Sequence, residues 1–155
     1  MAATERPLTE GERRLAESMF GDAIDYEPVR ICRRKWFPFQ PRNVAMAPMG
    51  HIHLHPHGAL WSDDFAADAL WRQALFIHEM THVWQAQQRG RWYLPLMRHP
   101  FCRYAYAVKP GQKFERYGLE QQAEIVKHAF MLRSGHSFSG APPLGQLESI
   151  LPFKP

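Results

Sequence analysis

The stretch Leu75-Phe76-Ile77-His78-Glu79-Met80-Thr81-His82-Val83-Trp84-Gln85 decides how this chain is read. It lies in a run from Phe65 to Arg89 without Pro or Gly, between the start signal Ser62-Asp63-Asp64 and the stop Gly90, so a long helix is expected there. On a helix, side chains four apart stand one above the other. His78 and His82 therefore converge on one point, as two ligands of a tetrahedral Zn²⁺ must. Glu79, one position on, reaches the coordination position left open, where its carboxylate can take a proton from a zinc-activated water. With 9 His and 10 Glu in 155 residues, composition alone produces an HExxH with an expectation of about 0.03. Accident is a weak explanation, and the apolar neighbours Leu75, Phe76, Ile77 and Val83 would bury the imidazoles at a cost if they had no ligand.

Two histidines do not complete a catalytic zinc site. The sequence after His82, VWQAQQRGRWYLP, has no His before His99, which excludes the metzincin offset. A second strong helix, Leu119 to Arg133, carries Leu119, Ala123, Val126 and Phe130 on one stripe and stops at Gly135. It offers Glu120, Glu124 and His128 at successive intervals of four. His128 lies about 12 Å along the axis from Glu120 at 1.5 Å per residue, too far to share one ion with it.

The remaining chain reads as one domain, 1–155. Thr9 and Glu12 have capping-box spacing before Leu15, Met19 and Phe20, giving a helix over 9–20 that stops near Gly21. Alternation predicts strands over Tyr26–Arg33, Asn43–Ala47 and His51–His55, the last two around the turn Pro48-Met49-Gly50. Arg91 to Arg116, with Pro95, Pro100 and Pro110, reads as a long irregular excursion of the kind that tends to be functional or lid-like. A short helix is expected around Leu144–Leu151. The fold class is α+β: a small sheet, the HExxH helix under it, and a second, Glu-bearing helix.

At 155 residues and 18.1 kDa, a chain of this size buries about 68–70% of its unfolded surface, enough for a core without staples. Cys32 and Cys102 stand 70 positions apart with no CxxC pair, so a disulfide framework and a zinc ribbon are excluded and both read as buried thiols. No apolar run approaches the ~18 residues of a spanning helix. The charged start MAATERPLTEGERR has no apolar segment before a cleavage site, so the expectation is a cytoplasmic protein, with export by a dedicated machine still open. The formal charge is +4, and Pro28 to Ser62 holds Arg30, Arg33, Arg34, Lys35 and Arg42 with no acidic residue. No nucleic-acid recognition motif accompanies that segment, so a solvated basic face is the preferred reading.

Two stretches carry a resemblance. His78-Glu79-xx-His82 followed by Leu119-Glu120-Gln121-Gln122-Ala123-Glu124 looks like the gluzincin arrangement. Val44 through Gln85, with HIHLHPHG and then LFIHEMTHVWQ, resembles the small zincin-like domain associated with contractile injection systems and toxin polypeptides. Most of the chain is similar to short bacterial Vgr-related proteins, in which RPLTEGERRLAESMFGDAIDYEPVRI and GLEQQAEIVKHAF have counterparts. The resemblance implies a minimal zincin-like fold, one zinc held by His78, His82 and Glu120, Glu79 as general base, and Glu124 supporting a ligand histidine from outside. The related position is often Asp.

The leading expectation is a zinc metallopeptidase acting on a peptide or protein. The alternative is a zinc-binding accessory or cargo domain of a secretion or injection system without turnover. Tyr117 and Gln85 are candidate transition-state or substrate contacts, and Tyr104, Tyr106 and His99 lie where they could overhang the site. The alternating His51, His53 and His55 share one strand face and could bind a second metal. The favoured reading makes them the exposed side of a cleft-edge strand, with Ile52 and Leu54 facing the core.

Overall fold

The computed structural model describes residues 4–97 and 102–154. Among them the order is β1 (Glu5–Pro7), α1 (Glu10–Phe20), β2 (Arg30–Cys32), β3 (Ile52–His53), α2 (Leu70–Arg89), α3 (Tyr93–Met97), α4 (Leu119–Arg133) and α5 (Leu144–Ile150), with 3₁₀ turns over Phe65–Ala67 and Phe114–Arg116. The fold is a mixed α+β arrangement with a three-stranded sheet in the order β1-β2-β3. β1 runs antiparallel to β2, and β3 runs parallel to it.

α1 begins with the capping box its sequence announced: Thr9 Oγ1 accepts from Glu12 N at 3.0 Å, and Glu12 Oε1 accepts from Thr9 N at 2.9 Å. Glu12 does more than cap. It is fully buried, and Arg6 donates to both its oxygens, at 2.8 and 2.9 Å. Phe65 N donates to Oε2 at 2.8 Å. One carboxylate thus joins β1, α1 and the turn that leads into α2, and its paired, charge-assisted bonds offset the cost of burying the charge.

α2 is the central helix. Every residue from Phe76 to Val83 is buried, and five polar side chains (His78, Glu79, Thr81, His82 and Gln85) are among the buried residues of the helix. Thr81 satisfies its hydroxyl on the Ile77 carbonyl one turn back, at 3.1 Å. Its most extensive helix–helix interface is with α4, whose Ala123, Ile125, Val126 and Ala129 are fully buried. Alanine at two of these positions keeps the interface shallow enough for longer side chains to reach across.

Several expected boundaries shift. The run 65–89 is broken: a 3₁₀ turn capped by Asp64 comes first, and α2 starts only at Leu70. The strand expected over Tyr26–Arg33 is only Arg30–Cys32, and Asn43–Ala47 does not form a hairpin ladder with 51–55. Only Met46 and His53 pair, by reciprocal bonds of 3.0 and 2.7 Å, on the edge of β3 away from β2. Glycine is required at position 58, where a Cβ would collide with the Arg42 carbonyl oxygen. That close approach seats the turn after His55 against the segment that walls the cleft. The excursion 91–116 contains α3 and a 3₁₀ turn, while His99 lies outside the described residues. Cys32 is buried as expected, but Cys102 is half-buried.

Candidate metal centre

The HExxH spacing does what its period demands. His78 and His82 stack along one face of α2 with ring centroids 5.1 Å apart. α4 supplies the third group. Glu120 Oε2 lies 3.1 Å from His78 Nε2 and 3.2 Å from His82 Nε2, and all three residues are buried. Their ligand atoms lie within 4.8 Å of one another, and they are the one such group among the described residues. Ligands about 2.1 Å from a tetrahedral ion stand roughly 3.4 Å apart, close to these spacings. The group can therefore hold a metal ion.

The hydrogen-bond network supports that reading independently. Gln85 Nε2 donates to Leu119 O at 3.0 Å and to Gln122 Oε1 at 2.9 Å. Gln122 donates its own amide to Tyr117 O at 2.9 Å, which leaves its Oε1 as acceptor. Gln85 Oε1 must therefore accept from His82 Nδ1–H, at 2.8 Å. With the hydrogen on Nδ1, His82 turns the Nε2 lone pair toward a carboxylate oxygen 3.2 Å away. Two acceptors at that spacing need a cation between them, a proton or a metal ion.

Gln85 thus orients His82, with both atoms of its amide engaged inside the protein. Tyr117 is likewise internal: it is buried, and its hydroxyl accepts from Lys109 N at 3.1 Å. Tyr104 does reach the site, stacked on the His78 ring at 6.1 Å and 16°. Tyr106 turns to α4, its hydroxyl 2.8 Å from His128 Nδ1. Glu124 faces His78 Nδ1 at 3.9 Å, an ionic contact rather than a hydrogen bond, and pairs more tightly with Lys127 at 2.6 Å. Sequence reasoning missed Gln122 and Lys127. Lys127, three positions after Glu124, was legible as a helical neighbour, whereas no local signal marked Gln122. Glu79 is buried and shares with His78 the wall of a cleft of about 480 Å³, lined further by Leu60, Trp71, Leu75 and Met131.

No family model matches the chain. It is 41% identical over 133 residues to the type VI secretion system spike protein VgrG2b of Pseudomonas aeruginosa, a match covering 81% of this chain and 13% of that protein. The solved effector domain of Pseudomonas aeruginosa VgrG2b superposes with a TM-score of 0.72 at 35% identity, over 93% of this chain and 80% of that one. The chain belongs to the VgrG2b effector-domain family. Its length spans only a small part of the spike protein itself. No helix among the described residues is long and apolar enough to cross a membrane.

In this member of the VgrG2b effector-domain family, the three expected strand histidines do not form a second centre. His53 and His55 are buried rather than exposed, and no metal-capable group among the described residues includes them. His51 Nδ1 accepts from Arg30 N at 3.2 Å, and His55 Nδ1 from His57 N at 3.0 Å, so each ring has a local backbone partner. Burial, with Arg34 nearby, pushes His53 down to about 4.

At the centre the balance is reversed. Burial opposes charge on His78, but the Glu120 and Glu124 carboxylates outweigh it and push its pKa up to about 9. Burial likewise opposes ionisation of Glu124, yet His78 and Lys127 hold it down at about 2. In the metal-free chain, the raised His78 contributes stability fully present below its ordinary 6.5 and lost as pH climbs through about 9. A metal ion must displace that proton. Metal affinity is therefore expected to rise about tenfold per pH unit across this window, with about one proton released per ion. Calorimetric titration in buffers of different ionisation enthalpy measures this directly, and a flat profile would remove His78 from the ligand set.

Glu124→Gln is expected to weaken metal binding about 10–100-fold without abolishing it, since the negative charge 3.9 Å from His78 Nδ1 polarises the ring. Competition with a chromophoric chelator measures the change. Wild-type affinity in the variant would show that Glu124 serves Lys127 alone.

Proposed function

We propose that the chain is a zinc-dependent peptidase of gluzincin type, with a minimal zincin-like fold. One observation carries the reading: two imidazoles and a carboxylate from different helices meet at a buried point, and Glu79 beside them lines a cleft of about 480 Å³. Zn²⁺ held by His78, His82 and Glu120 would polarise a peptide carbonyl and make water nucleophilic near neutral pH. The chain's own residues supply the rest. Glu79 accepts the proton of the attacking water and returns it to the leaving amine. Gln85 holds the His82 ring in place, and the Glu124 charge polarises the His78 ring. Leu60, Trp71, Leu75 and Met131 give the cleft apolar walls that grip a peptide and exclude bulk water.

A second reading has its own support. Both relatives are named for a secretion spike and its effector domain, which favours a secretion-system cargo or accessory role more directly than it favours turnover. In that role the metal is a clip that stabilises a delivered domain, and components of the secretion apparatus are its partners. Incubating the zinc-loaded chain with unfolded proteins, with and without a chelator, separates the two. New termini that appear only with metal support the peptidase. Absence of cleavage with zinc demonstrably bound supports the accessory domain.

A further inference from the structure

The charges of this chain are segregated along the sequence. Residues 28–62 and 69–114 together contain 12 Lys and Arg but a single carboxylate, the buried Glu79, against a chain total of 19 and 15. The same two stretches hold most of the large apolar side chains that face solvent among the described residues. Phe39 is 85% exposed, Leu96 78%, Trp92 56% and Met97 54%. Phe39 sits between Lys35 and Arg42, and Trp92 follows Arg91, whose guanidinium lies 5.6 Å from its ring centroid.

The two stretches meet at one cavity. Trp36, Phe37 and Pro41 on one side, and Leu94 and Pro95 on the other, wall a single cavity of about 380 Å³. Tyr104, which stacks on His78, belongs to the same wall. Phe39 stands between the lining Phe37 and Pro41, and Leu96 and Met97 directly follow the lining Pro95, so the two segments that wall this cavity also carry the apolar tips of its rim. The carboxylates nearby are few: Glu5 is engaged by Arg34 at 2.9 Å, and Glu115 lines the neighbouring hollow with Tyr93 and Met97.

We propose that this rim docks on an anionic lipid bilayer, with Phe39, Leu96 and Met97 inserted at the level of the headgroups and Lys35, Arg42, Arg89 and Arg91 against the lipid phosphates. Exposed apolar surface of this kind marks an interaction site. Aromatic and aliphatic tips among Lys and Arg are the composition of an interfacial anchor, each cation adding to attraction by a negatively charged leaflet. Nucleic acid would use the same cations but needs planar stacking platforms. Leu96, the second most exposed of these side chains, and Met97 have no π-face to offer a base. Docking would turn the entrance of this cavity toward the membrane, whatever chemistry the centre performs.

The test uses the full chain and sedimentation with vesicles of phosphatidylethanolamine and phosphatidylglycerol, against vesicles of neutral phosphatidylcholine. Binding is expected to the anionic vesicles, to weaken with added salt, and to shift tryptophan emission to the blue. Lys35→Glu with Arg42→Glu should weaken partition by at least about 25-fold, at about fivefold per cation removed. Phe39→Ser with Leu96→Ser should weaken it about tenfold or more. Both pairs lie on exposed positions, and unchanged melting temperatures verify the fold. Arg14→Glu, a charge change on α1 away from the rim, should leave binding nearly unaltered. Equal loss in Arg14→Glu would reduce the effect to net charge and overturn the proposal. So would absence of vesicle binding, or tighter binding to a single-stranded oligonucleotide that is indifferent to Leu96→Ser.

Discussion

Glu79→Gln is expected to keep its metal and its melting temperature while losing peptide hydrolysis by about 10²–10⁴-fold, the range attributed to a positioned general base. The substitution preserves size and shape, and the side chain stays on α2 between the turns that carry His78 and His82. What disappears is the ability to accept a proton at the wall of the cleft. Measuring metal content, thermal unfolding and cleavage on the same preparation separates this from a folding defect. Retained cleavage in the variant would assign the base elsewhere. Loss of metal together with activity would make Glu79 part of the ligand set. If neither the wild type nor the variant cleaves and both behave alike in the cell, the accessory-domain reading stands.

The second large effect concerns the ligands themselves. His78→Ala, His82→Ala and Glu120→Ala are each expected to lose bound metal and the stabilisation it brings. An ion at about 1,000 times its Kd stabilises a fold by about 4 kcal/mol, and a domain of this size gains about 2–4 °C per kcal/mol. Wild type should therefore melt about 8–16 °C higher with saturating metal, and the three variants should show little of that shift. His128→Ala is the control, because its ring engages Tyr106 and lies 3.7 Å from Glu124, away from the three converging atoms. If Glu120→Ala kept full metal while His128→Ala lost it, the third ligand would be wrongly placed.

The parts of this architecture that were legible in the sequence are those whose information is local. His78, Glu79 and His82 are fixed by a spacing of four on one helix, and α4 begins and ends where its stripe and Gly135 say it should. Glu120 required a choice among three residues of α4, and only the fold brings its oxygen to both rings. The support for His82 was not readable, because Gln85 finds its partners, Leu119 O and Gln122, more than 30 positions away. β1 was not readable for the same reason. It has three residues, ends in Pro7 and is defined by pairing with β2, not by any alternation of its own. The histidine strand shows how a correct period can yield a wrong face. Ile52 and Leu54 are buried as expected, but so are His53 and His55 on the opposite side, while Gln40, donating to His53 O at 3.0 Å, and Met46 occupy the strand edge.

The division of the ligands between α2 and α4 has a topological side. His82 and Glu120 are 38 positions apart, so an ion held by both ties the intervening chain into a closed ring. For a covalent cross-link of that span, chain-entropy arguments give about 4 kcal/mol of restriction on the unfolded chain. Leu94, Pro95 and Tyr104, which wall the entrance, all lie inside the ring. A metal ion bound there would therefore also cross-link the chain, and its removal would release the segment that bears the entrance wall together with the ligands.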